Sequence, residues 1–242
     1  MLTKPGRAPS GVPVAKSPLW PQAVLFDLDG TLVDSVPDLT ASVNRLLEFN
    51  GLGRLDVDDV RPMIGNGVKK LVQRAFAAHS VELEGDRLTF TTDRMMGIYR
   101  EHLTDNTTLM TGAYEAIAAL DQSGVRIAVV TNKPESLSRR ILEHFGLAEF
   151  VGSVIGGDTG PARKPAPDML LQALAEFGVS AQDALLVGDS PADINAAKAV
   201  PMASIAVRGG YTTQPVENLG ADQVIDSLAW LSRAIQTLRE TD

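Results

Sequence analysis

The sequence predicts an α/β fold: a doubly wound parallel sheet whose first strand is followed by an inserted, all-helical domain. Three observations carry this. Short, continuous apolar runs recur along the chain, the mark of strands buried on both faces. Helix-period stretches alternate with them in the second half, which implies a sheet wrapped by helices. One long interval, residues 35–112, breaks that rhythm with helical patterns alone.

The first strand is Ala23-Val24-Leu25-Phe26, bounded by Pro21 and Gly30 and ending in Asp27. Residues 35–112 follow. Leu39, Val43, Leu46 and Leu47 share one helical face, with Gly51 as the stop. Val68, Leu71, Val72, Ala75 and Phe76 form a second face, and Leu88, Met95, Ile98 and Tyr99 a third. A single βα crossover normally has far shorter loops, so this interval reads as a domain of its own. The sheet then resumes with 126–131, 154–156, 184–188 and 203–207. Helices are predicted over 134–145, 166–177 and 192–199, with Pro134 suited to a first turn and Gly146 and Gly178 to the stops. Residues 22–34 and 113–242 form the sheet domain. Trp230 is expected to pack the last helix on the core. Residues 1–21, rich in Pro and without an acid, read as a flexible tail.

The 242 residues carry a formal net charge of -8, 44% hydrophobic residues and no cysteine. Thiolate metal sites, disulfides and cysteine nucleophiles are therefore excluded. The acidic balance argues against nucleic acid as a partner. No apolar run approaches the roughly 20 residues of a membrane span, and a cytoplasmic location is expected.

Four segments carry candidate chemistry, each at a predicted strand end or the start of the next helix. In the first, Asp27 and Asp29 stand two apart before Gly30. One carboxylate can attack phosphorus to give an aspartyl-phosphate. Its neighbour can protonate the leaving oxygen and later activate water. In the second, Thr131-Asn132 offers a hydroxyl and an amide suited to phosphate oxygens. In the third, Lys164 lies between Arg163 and Pro165, where a cation could neutralise both phosphate and Asp27. In the fourth, Asp189 follows a buried strand and Asp193 lies about one helical turn later, so both can face one hard cation, Mg²⁺ above all. Each segment alone also reads as an ordinary helix cap or turn. Together they line one crevice at the C-terminal edge of a parallel sheet.

Asp27-Leu28-Asp29-Gly30-Thr31, Thr131-Asn132, Lys164-Pro165 and Gly188-Asp189-Ser190 through Asp193 resemble, in order, the four motifs of the haloacid dehalogenase-like hydrolases. That resemblance implies a Rossmann-like core and a helical cap over 35–112. It implies Asp27 as nucleophile and Mg²⁺ ligand, and Asp29 as acid/base with its backbone carbonyl on the metal. It further implies Thr131 and Asn132 on the phosphoryl oxygens, Lys164 as the neutralising cation, Asp189 as a ligand and Asp193 supporting the metal site. Within the superfamily, Thr31 to Leu39, Ile64 to Leu71 and Thr131 to Pro134 resemble the phosphoglycolate phosphatases. The Gly65-Asn66-Gly67 turn could then deliver N–H groups, with Lys69, to the far carboxylate of a small phosphorylated metabolite. A helix-starting loop is the plainer reading of that turn. A sugar-phosphate phosphatase or a β-phosphoglucomutase-like phosphotransferase are the alternatives, acting as monomer or homodimer. Val200-Pro201, where that subgroup usually has Gly, is a departure from its pattern. Tyr211 could border the crevice, and His79, His102 and His144 read as ordinary helix residues.

Overall fold

The computed structural model describes residues 20–240. Six parallel strands form the central sheet: β1 Ala23–Phe26, β4 Arg126–Val130, β5 Ser153–Ile155, β6 Ala184–Gly188, β7 Ala203–Val207 and β8 Gln223–Ile225. Their spatial order is β5-β4-β1-β6-β7-β8. Every residue of β1 and β6 is buried, as two-sided coverage by helices requires. Register pairs Phe26 with Val129 on one side and Val187 on the other. The residues just past β1, β4 and β6 therefore converge at one sheet edge, where the order of connection reverses.

The covering helices are α5 Ala113–Gln122, α6 Glu135–His144, α7 Asp168–Phe177, α8 Pro191–Lys198 and α9 Leu231–Glu240. Gly178 stops α7 in the left-handed conformation, φ 64°, that glycine adopts without a Cβ penalty. Leu231, Ala234, Ile235 and Leu238 bury one stripe of α9. Trp230 does not pack that helix, contrary to the sequence expectation. It ends the preceding 3₁₀ turn, off the stripe, and lies 49% exposed beside Arg233.

Between β1 and α5 the chain makes the predicted helical insertion. Its helices are α1 Val36–Phe49, α2 Val57–Val60, α3 Val68–Ala77 and α4 Gly85–Glu101. The three faces read from the sequence meet there: Leu39, Val43, Leu46 and Leu47 pack with Leu71, Val72, Ala75, Phe76, Leu88, Met95 and Tyr99. Both connections run side by side as a short antiparallel pair, β2 Val33–Asp34 with β3 Thr108–Leu109. Asp38 ties the entry of α1 to the returning chain. Its buried carboxylate accepts from the backbone N–H and side chains of both Asn106 and Thr107 at 2.7–2.9 Å.

The expected tail lies mostly outside the described residues. Its last two residues, Trp20 and Pro21, are buried. Trp20 Nε1–H donates to the Gln182 carbonyl at 3.0 Å, so the ordered sheet domain starts ahead of residue 22. No helix among the described residues is long and apolar enough to cross a membrane.

Candidate active site

Asp27 follows β1 directly, and its N–H donates to the Val187 carbonyl at 3.0 Å, extending the ladder into the site. Asp189 follows β6, and Asp193 sits in the first turn of α8 as half of a capping box. The Ser190 N–H and hydroxyl donate to Asp193 Oδ2 at 3.0 and 2.6 Å. A carboxylate oxygen from each of Asp27, Asp189 and Asp193 lies within 4.8 Å of the others. Glycines permit this crowding. Gly30 turns at φ +90°, and a Cβ there would lie 2.7 Å from Asp189 Oδ2. A Cβ on Gly188 would meet the Asp193 Cβ at 2.4 Å.

Lys164 supplies the cluster's cation. Its Nζ donates to Asp27 Oδ1 at 2.7 Å, to Asp193 Oδ1 at 2.6 Å and to the Val130 carbonyl at 2.6 Å. Burial alone would lower its pKa, but Asp193 and Asp27 outweigh that and hold it above the ordinary value, fully charged. Three carboxylates thus face one ammonium, an excess of two negative charges in a buried space. The strain is visible in the acids. Burial raises Asp27 from 3.8 to about 7; Lys164 opposes the rise, while Asp193 and Asp29 add to it. Burial, Asp193 and Asp27 push Asp189 well above the usual carboxylate range, against the Tyr211 N–H and the Thr31 hydroxyl. Oxygen-only donors with two uncompensated charges fit a hard divalent cation.

Asp29 is held apart from that cluster. Its carboxylate accepts from the Ser35 hydroxyl at 2.6 Å and from Lys133 Nζ at 2.9 and 3.1 Å. The acids of the first segment are therefore in different company, Asp27 paired with Lys164 in the carboxylate cluster and Asp29 paired with Lys133.

Thr131 and Asn132 follow β4, as expected, and line the same cavity as Asp27, Asp29, Lys164 and Asp189. The Asn132 amide is committed, donating at 3.0 Å to the Lys164 carbonyl and to the Gly65 carbonyl. It thereby docks the 65–67 turn of the insertion on the core. Gly65 and Asn66 line the cavity, with Arg74 donating to Asn66 Oδ1 at 2.7 Å. Lys69 is exposed and does not line it.

Sequence reasoning gave no role to Lys133, Ser35 or Arg74. Lys133 stood next to the Thr131-Asn132 pair, and that adjacency was the available signal. Tyr211, expected near the crevice, lines it; its N–H donates to Asp189 Oδ2 at 2.6 Å and its hydroxyl accepts from the Ser35 N–H at 2.8 Å. Among the three histidines, His102 Nδ1 pairs with Asp105 at 2.7 Å, and none joins the carboxylate cluster.

Comparison with known proteins identifies the family. Residues 24–207 match the family model described as haloacid dehalogenase-like hydrolase. A phosphoglycolate phosphatase of Rhodospirillum rubrum is 41% identical over 215 residues, 87% of this chain and 89% of that protein. One from Caulobacter vibrioides is 37% identical over 215 residues, covering 89% and 91%. The crystal structure of a predicted phosphoglycolate phosphatase from Haemophilus somnus superposes with a TM-score of 0.83 at 32% identity, covering 88% of this chain and 97% of that one. A doubly wound sheet with a helical insertion, four motifs gathered at one edge and a match across most of its length place this chain in the haloacid dehalogenase-like hydrolases.

Proposed function

We propose that the protein is a Mg²⁺-dependent phosphatase for a small phosphate monoester, 2-phosphoglycolate first, acting in the cytoplasm. The observation that carries this reading is that Asp27 and Asp29 both line one cavity of about 210 Å³, which Ile64, Gly65, Asn66, Arg74 and Tyr99 of the insertion line as well. That space is below the roughly 300–1,000 Å³ of clefts for drug-sized ligands, which favours a compact substrate. The relatives named phosphoglycolate phosphatase support the choice of ester.

In this reading an Asp27 oxygen forms a bond to phosphorus as the ester P–O bond breaks. Asp29 passes its proton to the departing oxygen. Asp29 then takes a proton from water, whose oxygen bonds to phosphorus while the bond to Asp27 breaks, restoring both acids. Lys164 neutralises charge around Asp27, and the Thr131 hydroxyl steadies the phosphoryl oxygens. Asn132 acts through the docked 65–67 turn, which would offer backbone N–H groups to the far end of the substrate. Asp27, Asp189 and the Asp29 backbone carbonyl would hold Mg²⁺, with Asp193 supporting through Lys164. The ion supplies charge neutralisation to the phosphoryl group. Residues 35–112 serve as a cap that excludes water.

Phosphate release from a panel of monoesters, with Mg²⁺ and with EDTA, tests the reading. Mg²⁺-dependent preference for 2-phosphoglycolate over glucose phosphates, a nucleotide and an amino-sugar phosphate is expected. Turnover of another ester alone would discard the substrate, and a long-lived phosphoenzyme requiring a sugar bisphosphate would favour a mutase.

The cation also makes a pH prediction. Asp27's pKa is raised on folding, so without metal its ionisation weakens the fold as pH climbs from about 4 through about 7, and that penalty is absent below. A bound cation favours the ionised acids and removes it. The rise in melting midpoint given by Mg²⁺ over EDTA should therefore grow between about pH 5 and about pH 8. A rise that is flat or largest at the acid end would contradict the assignment.

A further inference from the structure

One buried cation stands outside the Lys164 cluster. The Lys133 side chain is 3% exposed, and its Nζ spans both oxygens of Asp29 at 2.9 and 3.1 Å while donating to the Tyr99 hydroxyl at 2.7 Å. An ammonium has three protons, and these three acceptors account for them. Lys133 belongs to the sheet domain, on the loop after β4, whereas Tyr99 lies on α4 of the insertion. The Ser35 hydroxyl adds a second donor to Asp29 Oδ1, so Oδ2 is the less committed oxygen. Asp29, Lys133 and Tyr99 all line the reaction cavity.

We propose that Lys133 is the positioning residue that fixes the Asp29 carboxyl for proton transfer, and that Tyr99 makes this alignment depend on docking of the insertion. The inference rests on Asp29 being the acid/base. Without Lys133 the carboxyl would keep only the Ser35 contact, on one oxygen, and could turn about its Cβ–Cγ bond. Small misplacements of a reacting group cost about 10²-fold in rate. The link to α4 joins proton transfer to closure: with the insertion undocked, Lys133 loses the Tyr99 acceptor and Asp29 its fixed partner.

The chemistry supplies a readout that a merely structural role would not move. In the first step the Asp27–phosphorus bond forms, the ester P–O bond breaks and the Asp29 proton goes to the leaving oxygen. That proton matters for an alkoxide and hardly for p-nitrophenolate, which leaves as a stable anion.

The test compares the unmodified protein with Lys133→Met, Lys133→Arg, Tyr99→Phe and Asp29→Ala in Mg²⁺. Single-turnover cleavage of 2-phosphoglycolate is set against the burst of p-nitrophenolate from p-nitrophenyl phosphate. Lys133→Met should slow the alkyl ester about 10²-fold and the nitrophenyl burst less than about threefold, the same split expected of Asp29→Ala. Lys133→Arg should recover about tenfold of the loss, and Tyr99→Phe should show the same split at about fivefold. Should Lys133→Met fail to fold, Tyr99→Phe decides alone. Equal losses on both esters would overturn the inference, as would a KM increase confined to the carboxylated ester at unchanged kcat. No turnover of either ester by the unmodified protein would overturn the phosphatase reading together with it, a result distinct from equal losses.

Discussion

Replacing Asp27 with Asn is expected to lower kcat on phosphate monoesters by about 10⁴-fold or more while leaving the fold intact. The loss follows from the chemistry: an amide cannot form the bond to phosphorus, and removing a nucleophile costs factors of this order and above. The retained fold follows from the electrostatics. Asn keeps the size and shape of Asp at the end of β1. It also removes one of three crowded carboxylates, whose burial pushes Asp27 up to about 7. In EDTA near neutral pH the melting midpoint of Asp27→Asn should therefore equal or exceed that of the unmodified protein. Near-normal turnover by this variant would remove Asp27 from the nucleophile's place.

Replacing Lys164 with Met should be costly in both respects. Its Nζ is the only lysine or arginine group in a salt bridge to Asp27 or Asp193 among the described residues, and it also holds the Val130 carbonyl. Removing one partner of a buried ion pair costs about 3–5 kcal/mol, because the remaining charges stay buried and uncompensated. At roughly 2–4 °C per kcal/mol for a chain of this size, the midpoint in EDTA should fall by about 6–20 °C. Saturating Mg²⁺ should restore part of that drop. Turnover should fall by about 10²–10³-fold, the usual cost of losing one group that stabilises developing charge. A midpoint within about 2 °C of the unmodified protein, on the same scale, would show that Lys164 does not balance the cluster.

These two variants also mark how much of the site could be read from sequence. Asp27, Thr131 and Asp189 each stood at the end of an apolar run and Lys164 just ahead of a predicted helix, and parallel-strand topology brings such positions together. Five of the six sheet strands were legible as continuous apolar segments. β8 was not: only three residues long, it lies between Asp222 and Asp226 at the sheet edge, and its sequence shows no apolar run. The insertion was legible from helical periodicity, but its contacts with the core were not. Tyr99 read as one more apolar position on a helix, because periodicity reports which face is buried and says nothing about where a hydroxyl ends. Lys133 received no role from the sequence, because its partners Asp29 and Tyr99 lie 104 and 34 residues away. Asp193 read as an acid about one turn after Asp189 that faces or supports the metal site, and it does lie in the carboxylate cluster; that Ser190 and Lys164 engage both its oxygens was not legible.

The most direct measurement is to trap the covalent intermediate. The protein would be mixed with Mg²⁺ and 2-phosphoglycolate, quenched in acid during turnover, and treated with borohydride, which reduces an acyl phosphate to an alcohol. Peptide mass mapping then locates the change. Conversion of Asp27 to homoserine, absent from the Asp27→Asn variant and from samples quenched without substrate, is the expected result. Continued phosphate release with Asp27 unmodified, or with the reduced residue elsewhere in the chain, would contradict the assignment of Asp27 as the nucleophile.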